Sequence, residues 1–254
     1  MHIRPIHVLE SRGVTPPPPS ETTAVPSGRV AGHTLDLGIP SDNQALASLT
    51  IGGQRRWDKR ELLYRGDDPA EVFYRITKGI VAEFTVLSDG RRQIVALRTV
   101  GNLCGYPTRN GLHAFTAQAV TAVEACALGA ERFRSRLGHN VEFACAVAND
   151  VSERLKQTLA NLTVVGQLRS VERVAHFIVE MEELHRVGGT EAHAIALHLS
   201  RQEIADYLGL TLETVSRAFG KLKDMRLIAL AGADVVNVLD PQKLLQVAKL
   251  TPHN

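Results

Sequence analysis

The chain has 254 residues, of which 44% are hydrophobic and 22% charged, and its formal net charge is +2. This length and composition predict a soluble globular protein with room for two domains, and the small net charge argues against unselective coating of nucleic acid. No run approaches the roughly 20 apolar residues of a membrane span, and the N-terminus has no apolar core of the secretory type. We therefore expect a cytoplasmic protein with no membrane partner.

The N-terminal 34 residues differ in composition from the rest of the chain. They contain six of the eleven prolines, including the run Pro16–Pro19, and few large apolar side chains. Such a segment cannot bury enough apolar surface to offset the entropy lost on ordering. We predict a disordered, proline-rich arm over residues 1–34, followed by a short helical stretch near Asp42–Leu49.

Residues 54–128 show the pattern of short strands separated by turn residues. Turn signals occur at Gly66, Lys78-Gly79, Asp89-Gly90 and Gly101, and no helical periodicity separates the strands. This spacing predicts an antiparallel β-roll or jelly roll, the N-terminal sensor domain (residues 35–138) of an α+β protein. The predicted strands are Arg55–Trp57, Glu61–Tyr64, Glu71–Thr77, Ile80–Ser88, Arg92–Val100 and Phe115–Leu128.

A long helix is predicted over residues 139–168. Its apolar residues recur every three or four positions and form a narrow stripe beside charged residues, a pattern typical of a coiled-coil seam. The alternative is a helix that packs on its own β-roll, and both arrangements are compatible with the pattern. We predict that the helix forms a homodimer interface. The predicted interface residues are Phe143, Val147, Val151, Leu155, Leu159 and Leu162.

Residues 169–254 are predicted to form a C-terminal domain with two adjoining short helices at its centre. Ser200 and Glu203 have the spacing of a capping box for the first helix, Gly209 lies where the chain must turn, and Thr211 can cap the second. This is the pattern of a helix–turn–helix, whose second helix enters the DNA major groove. The other predicted elements are a helix over Ser170–His185, a wing hairpin of Leu227–Leu230 and Val235–Leu239, and a closing helix over Pro241–Leu250.

The second helix, at residues 211–222, has polar side chains that can face outward and read DNA. Arginine can bind O6 and N7 of guanine, and glutamate can accept from the amino group of cytosine. Glu213 and Arg217 are four residues apart and share one face, although the same spacing also suits a surface ion pair. We predict base contacts from Leu212, Glu213, Ser216 and Arg217, and phosphate contacts from Ser200, Arg201, Thr211, Thr214 and Lys221.

The segment Leu199–Phe219, with Thr-Leu-Glu-Thr-Val-Ser-Arg at 211–217, resembles the DNA-binding domain of the Crp/Fnr family of bacterial transcription regulators. The pattern of Glu213, Ser216 and Arg217 is similar to the Fnr and FixK branches. The strand order, with Tyr74–Gly79 and Gly101–Gly105, is similar to the family's cyclic-nucleotide-binding-like sensor domain, so the resemblance covers about residues 45–250.

The resemblance implies a homodimer that binds double-stranded DNA at an inverted repeat of the TTGAT-N4-ATCAA type and acts on RNA polymerase. It also implies that Arg217 reads the guanine, Glu213 its paired cytosine or a neighbour, and Ser216 the flanking thymines. A two-fold DNA site needs a two-fold protein, which favours the dimer interpretation of the long helix.

The sensor domain gives no positive evidence for a cofactor. Gly105-Tyr106-Pro107 stands where the family's phosphate cassette has Gly-Glu, and Asn110–Thr116 lacks the arginine that would compensate the charge of a cyclic nucleotide. An iron–sulfur cluster needs four thiolates, and the Fnr branch draws three of them from its N-terminus. Here the chain has three scattered cysteines, Cys104, Cys126 and Cys145, and no Cys-x-x-Cys. We predict no metal, no cofactor and no disulfide framework.

The leading hypothesis is a FixK-like regulator of genes for oxygen limitation, nitrogen oxides or related metabolism. The alternative is an effector-gated sensor whose β-roll binds haem with nitric oxide, or another small ligand, with His113 near the pocket. His185, His193 and His198 lack metal-ligand spacing and are interpreted as solvated. No nucleophile–base pair or phosphate-binding loop supports catalysis, so we predict that the protein is not an enzyme.

Overall fold

The computed structural model describes residues 53–187, 194–232 and 234–249. The predicted arm at residues 1–34, the predicted helical stretch Asp42–Leu49, the side chain of His185 and residue His193 lie outside the described part. The described residues form an α+β structure with an antiparallel β-roll, a long helix and a C-terminal winged helix–turn–helix. This is the architecture that the sequence predicts.

The β-roll consists of eight strands in two four-stranded antiparallel sheets. The strands are β1 (Gln54–Trp57), β2 (Leu62–Tyr64), β3 (Val72–Lys78), β4 (Val81–Val86), β5 (Arg92–Arg98), β6 (Leu103–Cys104), β7 (Thr116–Ala119) and β8 (Val123–Gly129). The strand orders are β1-β8-β3-β6 and β2-β7-β4-β5. Strand β3 is buried on both faces, with Tyr74 and Ile76 inside the roll and Phe73 packed toward the helices.

The turn at Gly79 explains why the predicted strand Phe115–Leu128 is in fact two strands. Gly79 has a φ of 88°, and a Cβ there would collide with the carbonyl of Ala122, so glycine is required. Next to it, the hydroxyl of Thr121 accepts the amide of Ile80 at 2.9 Å. The chain therefore breaks between β7 and β8 to pack against this turn, and the prediction of one continuous strand was wrong.

Two helices follow the roll where one was predicted. Helix α1 (Ala130–His139) packs Phe133 face to face on Phe73, with ring centroids 3.8 Å apart. Helix α2 (Val141–Gln167) begins at Asn140, whose side chain accepts the amide of Phe143 at 2.8 Å. No side chain caps the start of α1, so the usual sequence signal for a helix start was missing.

The apolar stripe of α2 belongs to two different surfaces. Phe143 is 1% exposed and Val147 is also buried, both in the protomer's own core with α1 and the roll. Their assignment to the dimer interface is therefore corrected, because neither has surface left for a second chain. The remaining four predicted positions are exposed to solvent: Val151, Leu155, Leu159 and Leu162.

The C-terminal domain begins with helix α3 (Ser170–Val187) and contains a three-stranded antiparallel sheet. The predicted wing hairpin is present as β10 (Ile228–Leu230) and β11 (Val235–Val238). Strand β9 (Ala194–Ala196), which pairs with β11, was not predicted. The remaining elements are α4 (Arg201–Leu208), α5 (Leu212–Asp224) and α6 (Pro241–Val247).

Roll and C-terminal domain share one apolar core. Ile80, Ala82, Ile94 and Val120 of the roll belong to the same buried cluster as the inward residues of α3, α4 and α5. The helix–turn–helix is thus packed against the roll as well as joined to it through α2 and α3. Among the described residues, no helix has the length and apolar character needed to cross a membrane.

Candidate DNA-binding site

Helix α4 is capped at both ends. Its first turn is closed by a capping box in which Ser200 accepts the amide of Glu203 and the Glu203 carboxylate accepts the amide of Ser200. Its last turn ends at Gly209, which has the left-handed φ of 63° that glycine adopts without strain. Ile204 and Ala205 are fully buried, and the small Ala205 allows α5 to cross closely. The sequence predicts each of these features.

Helix α5 has one buried and one exposed face. Thr211 caps it by accepting the amide of Thr214 at 3.2 Å. Its inward residues are Val215, Ala218, Phe219 and Leu222. The outward residues are Leu212, Glu213, Ser216, Arg217 and Lys221, all of them exposed. The structure therefore brings the four predicted base-contacting residues onto one solvent-facing surface, together with Lys221.

The exposed face of α5 contains one weak internal ion pair. Arg217 Nη1 lies 3.7 Å from Glu213 Oε1, and both side chains are more than two-thirds exposed. A pair of this kind contributes about 0.3–0.5 kcal/mol to stability, which is too little to hold either side chain away from a ligand. Both groups are thus available to new partners. The Ser216 hydroxyl donates to the carbonyl of Leu212 at 3.0 Å and keeps its acceptor lone pairs outward.

Arg201 has a packing role that the sequence did not indicate. Its guanidinium carbon lies 3.6 Å from the ring centroid of Phe219, so it joins α4 to α5 through a cation–π contact. Burial lowers the pKa of Arg201, while Asp234 acts in the opposite direction. The contact with Phe219 occupies the face of the guanidinium and does not engage its in-plane N–H groups, so the phosphate contact from Arg201 stays a prediction.

The sequence comparisons identify both folded parts. Residues 172–247 match the family model described as a Crp-like helix-turn-helix domain, and residues 54–140 match a cyclic nucleotide-binding domain. The chain is 36% identical over 182 residues to the nitrogen fixation regulation protein FixK of Rhizobium meliloti, which covers 72% of this chain and 81% of that protein.

The chain belongs to the Crp/Fnr family of transcription regulators. It is also 31% identical to the transcriptional activatory protein AadR of Rhodopseudomonas palustris, over 74% of this chain and 78% of that protein. The structure superposes on FixK2 from Bradyrhizobium japonicum with a TM-score of 0.71 at 30% identity, over 80% of this chain and all of that one.

In this Crp/Fnr-family chain, the segment that would hold a cyclic nucleotide phosphate is occupied by the protein's own groups. The amide of Gly105 donates to the Tyr64 hydroxyl at 3.0 Å, and the Tyr64 ring stacks on His113 with centroids 4.0 Å apart. Arg109, the arginine of this segment, points to solvent. In this segment a buried phosphate would have neither the free Gly105 amide nor a buried arginine. The segment Gly105–Thr116 therefore does not fit the phosphate of a cyclic nucleotide.

A buried ionic network extends from the roll to α2, and no motif in the sequence indicates it. Glu83 of β4 pairs with Arg98 of β5 at 2.8 Å and lies 4.0 Å from Arg154 of α2. Arg154 pairs with Asp150 at 2.8 Å, and Asp150 also accepts from the Tyr106 hydroxyl. Burial acts to raise the pKa of Glu83, but Arg98 and Arg154 outweigh it and the pKa lies below its usual value. The carboxylate is therefore charged and paired.

Burial keeps the side chains of Cys104 and His113 uncharged. Cys104 is completely buried, and burial raises the pKa of its thiol to about 12, so it is not a thiolate near neutral pH. Cys126 is buried and Cys145 exposed. Burial lowers the pKa of His113, which keeps the imidazole neutral. Across the described ranges, no group of three His, Cys, Asp or Glu side chains is placed to hold a metal ion.

Proposed function

We propose that the protein is a dimeric, sequence-specific transcription regulator that binds an inverted repeat of the TTGAT-N4-ATCAA type through helix α5. The observation that carries this proposal is the exposed face of α5, where Glu213, Ser216 and Arg217 stand on a capped helix of a winged helix–turn–helix. This is the geometry with which a recognition helix presents side chains to base edges in the major groove.

The roles of the base-reading residues follow from their donors and acceptors. Arg217 donates two hydrogen bonds to O6 and N7 of guanine, and Glu213 accepts from the amino group of the paired or neighbouring cytosine. Ser216 contacts the flanking thymines. Leu212, which is 46% exposed at the first turn of α5, gives an apolar surface for a thymine methyl group.

Phosphate contacts come from the ends of the two helices. Thr211 and Thr214 lie at the N-terminus of α5, where backbone amides and the helix dipole favour an anion. Lys221 adds a charge on the exposed side, and Ser200 lies at the start of α4. These contacts set the orientation of the domain on DNA and carry no base preference of their own.

A second copy of the chain covers the apolar stripe of α2. Leu155 is 60% exposed and Leu162 is 66% exposed, and Val151 and Leu159 complete the stripe. Four large aliphatic side chains on one helix face leave apolar surface in water that a two-fold helix pair would bury. The same two-fold symmetry would place two copies of α5 on an inverted repeat.

The regulator acts on RNA polymerase at promoters of genes for oxygen limitation, nitrogen oxides or related metabolism. The names of its relatives, a nitrogen fixation regulation protein and a transcriptional activatory protein, support this assignment. A protein with this role works beside the chromosome, in the bacterial cytoplasm. We assign no effector to the roll, where Tyr64 stacks on His113 and Glu83 is already paired with Arg98.

Selection from a random duplex pool tests the proposal without presupposing a sequence. The purified full-length protein is expected to enrich inverted repeats with a guanine–cytosine pair inside a thymine- and adenine-rich half-site. Enrichment of single half-sites without a fixed spacing would contradict the dimer. Recovery of unenriched DNA would contradict sequence-specific binding.

A further inference from the structure

One side chain of the roll is anchored on the helix–turn–helix. Arg92, the first residue of β5, places its Nε 3.0 Å from Asp206 Oδ2 and its Nη2 3.6 Å from Glu203 Oε1, both on α4. Its Nη1 donates to Gln118 of β7 at 3.2 Å, and its guanidinium carbon lies 4.9 Å from the ring of Phe84. Arg92 therefore spans both parts of the protomer.

The surroundings of this contact make it stronger than an ordinary surface pair. The side chains of Arg92 and Asp206 are 25% and 12% exposed, so solvent screens them only in part. Beside them, the Gln93 side chain donates to the carbonyl of Tyr207 at 3.4 Å, and Ile94 is buried in the shared core. Three consecutive residues of β5 thus contact α4 or the core around it.

Both partners of Arg92 lie on the helix that supports the recognition helix. Glu203 also closes the capping box of α4, and hydrogen bonds from Ser200, with help from Arg92, hold the pKa of Glu203 low against the opposing effect of burial. Ala205, between the two acidic residues, is buried where α4 meets α5. A shift of α4 relative to the roll therefore moves the recognition helix as well.

We propose that Arg92 is a positioning residue for DNA binding, which acts through Asp206 and Glu203 to hold the helix–turn–helix in its binding arrangement. This inference depends on the proposed function. Arg92 has no role in reading DNA itself, because its donors are already used inside the protein. Its loss would let the domain sample other orientations, and affinity falls in proportion to the fraction that remains competent.

The test compares Arg92→Ala with Arg91→Ala, which removes the neighbouring arginine. Arg91 is 77% exposed, and its described contacts are to Asp89 in the same turn. If the competent fraction falls to roughly one tenth, Arg92→Ala weakens binding to the inverted repeat about tenfold, and Arg91→Ala binds like the parent. Equal binding by both variants, or tighter binding by Arg92→Ala, would overturn the proposal.

Salt dependence separates positioning from a direct phosphate contact. If Arg92 acts through α4, the slope of log affinity against log salt concentration stays that of the parent. If Arg92 itself neutralises a phosphate, the slope falls by about 0.9 for each protomer, and the proposal is wrong. Unfolding midpoints measured on the same samples would reveal a variant that has merely lost its fold.

A double-variant cycle supplies the second measurement. Asp206→Ala should weaken binding as Arg92→Ala does, and the variant with both changes should be no weaker than either alone. If the fold-losses of affinity of the two single variants multiply in the double variant, the two residues act separately and the proposal is contradicted. If the parent does not bind TTGAT-N4-ATCAA, the same variants are compared on a duplex that the parent selects from a random pool. A wrong prediction of the DNA sequence can then be distinguished from a wrong role for Arg92.

Discussion

Tyr207 of α4 donates a hydrogen bond to Glu180 of α3 across 2.8 Å, and the same hydroxyl accepts from Asn161 of α2 at 3.4 Å. One buried phenol therefore joins the long helix, the first helix of the C-terminal domain and the helix–turn–helix. Burial raises the pKa of Glu180 to about 7, with a smaller contribution from Glu183 and an opposing one from Tyr207. The protonation of this carboxyl is linked to stability.

Glu180→Gln should therefore stabilise the protein more at high pH than at low pH. Between about pH 4.5 and pH 7 the folded carboxyl keeps a proton that the unfolded chain has released, so the free energy of unfolding of the parent falls as pH rises. The glutamine variant has no such proton to lose. Its free energy of unfolding relative to that of the parent should therefore rise by about 1–3 kcal/mol from pH 5 to pH 8. Urea unfolding of variant and parent at pH 5 and pH 8 measures this difference in the free energy of unfolding, and Glu182→Gln is the control. A difference that does not change with pH would rule out a link between the protonation of Glu180 and stability.

Arg217→Lys should separate charge from base recognition. Lysine keeps the positive charge of Arg217 but lacks the planar fork that binds two guanine acceptors at once. We expect nonspecific binding to be unchanged and binding to the inverted repeat to be weaker by about 1–3 kcal/mol for each half-site. Competition titrations with base-substituted duplexes measure both quantities. Retained discrimination at the guanine position would mean that Arg217 does not read it.

Lys221→Ala should weaken binding to all duplexes by a similar factor. A lost phosphate contact reduces the slope of log affinity against log salt concentration by about 0.9 for each protomer, and base preference is unaffected. Lys243→Ala is the matched control, since Lys243 lies on α6 and pairs with Asp240 at 3.0 Å. A change in sequence preference with an unchanged slope would assign Lys221 to base recognition instead.

Leu155→Glu should give a folded monomer. Leu155 is largely exposed in the protomer, so a charge there costs the isolated chain little, but it would be buried without a partner in a helix pair. Lys156→Glu changes the charge one position further along, about 100° around the helix, and should leave the dimer intact. Sedimentation velocity distinguishes the two; a dimeric Leu155→Glu variant would move the interface to another surface.

The sequence predicted the helix–turn–helix in detail because its signals are local. A capping box at Ser200 and Glu203, a glycine at 209 and a threonine cap at 211 each act within a few residues. The surfaces that the long helix contacts were harder to predict. Steps of four residues drift by about 40° each around a helix, so Phe143 and Leu155, three such steps apart, face different surfaces. Periodicity alone could not show where the stripe leaves the core.

Contacts between segments far apart in the chain could not be predicted from the sequence. Arg92 and Asp206 are 114 residues apart, and nothing in either neighbourhood indicates the other. Strand β9 is only three residues long and pairs with β11 some forty positions later. Arg201 was predicted as a phosphate ligand from its place at a helix start, but its stacking on Phe219 depends on how two helices cross and could not be predicted. Such features follow from tertiary packing.

Fluorescence anisotropy of the full-length parent on a TTGAT-N4-ATCAA duplex tests the central claim most directly. The comparison duplex has about five more base pairs between the half-sites, which turns them to opposite sides of the helix. The proposed function predicts tight binding of one dimer to the first duplex and binding at least roughly a hundredfold weaker to the second. Equal affinity for the two duplexes would contradict a two-fold, sequence-specific regulator.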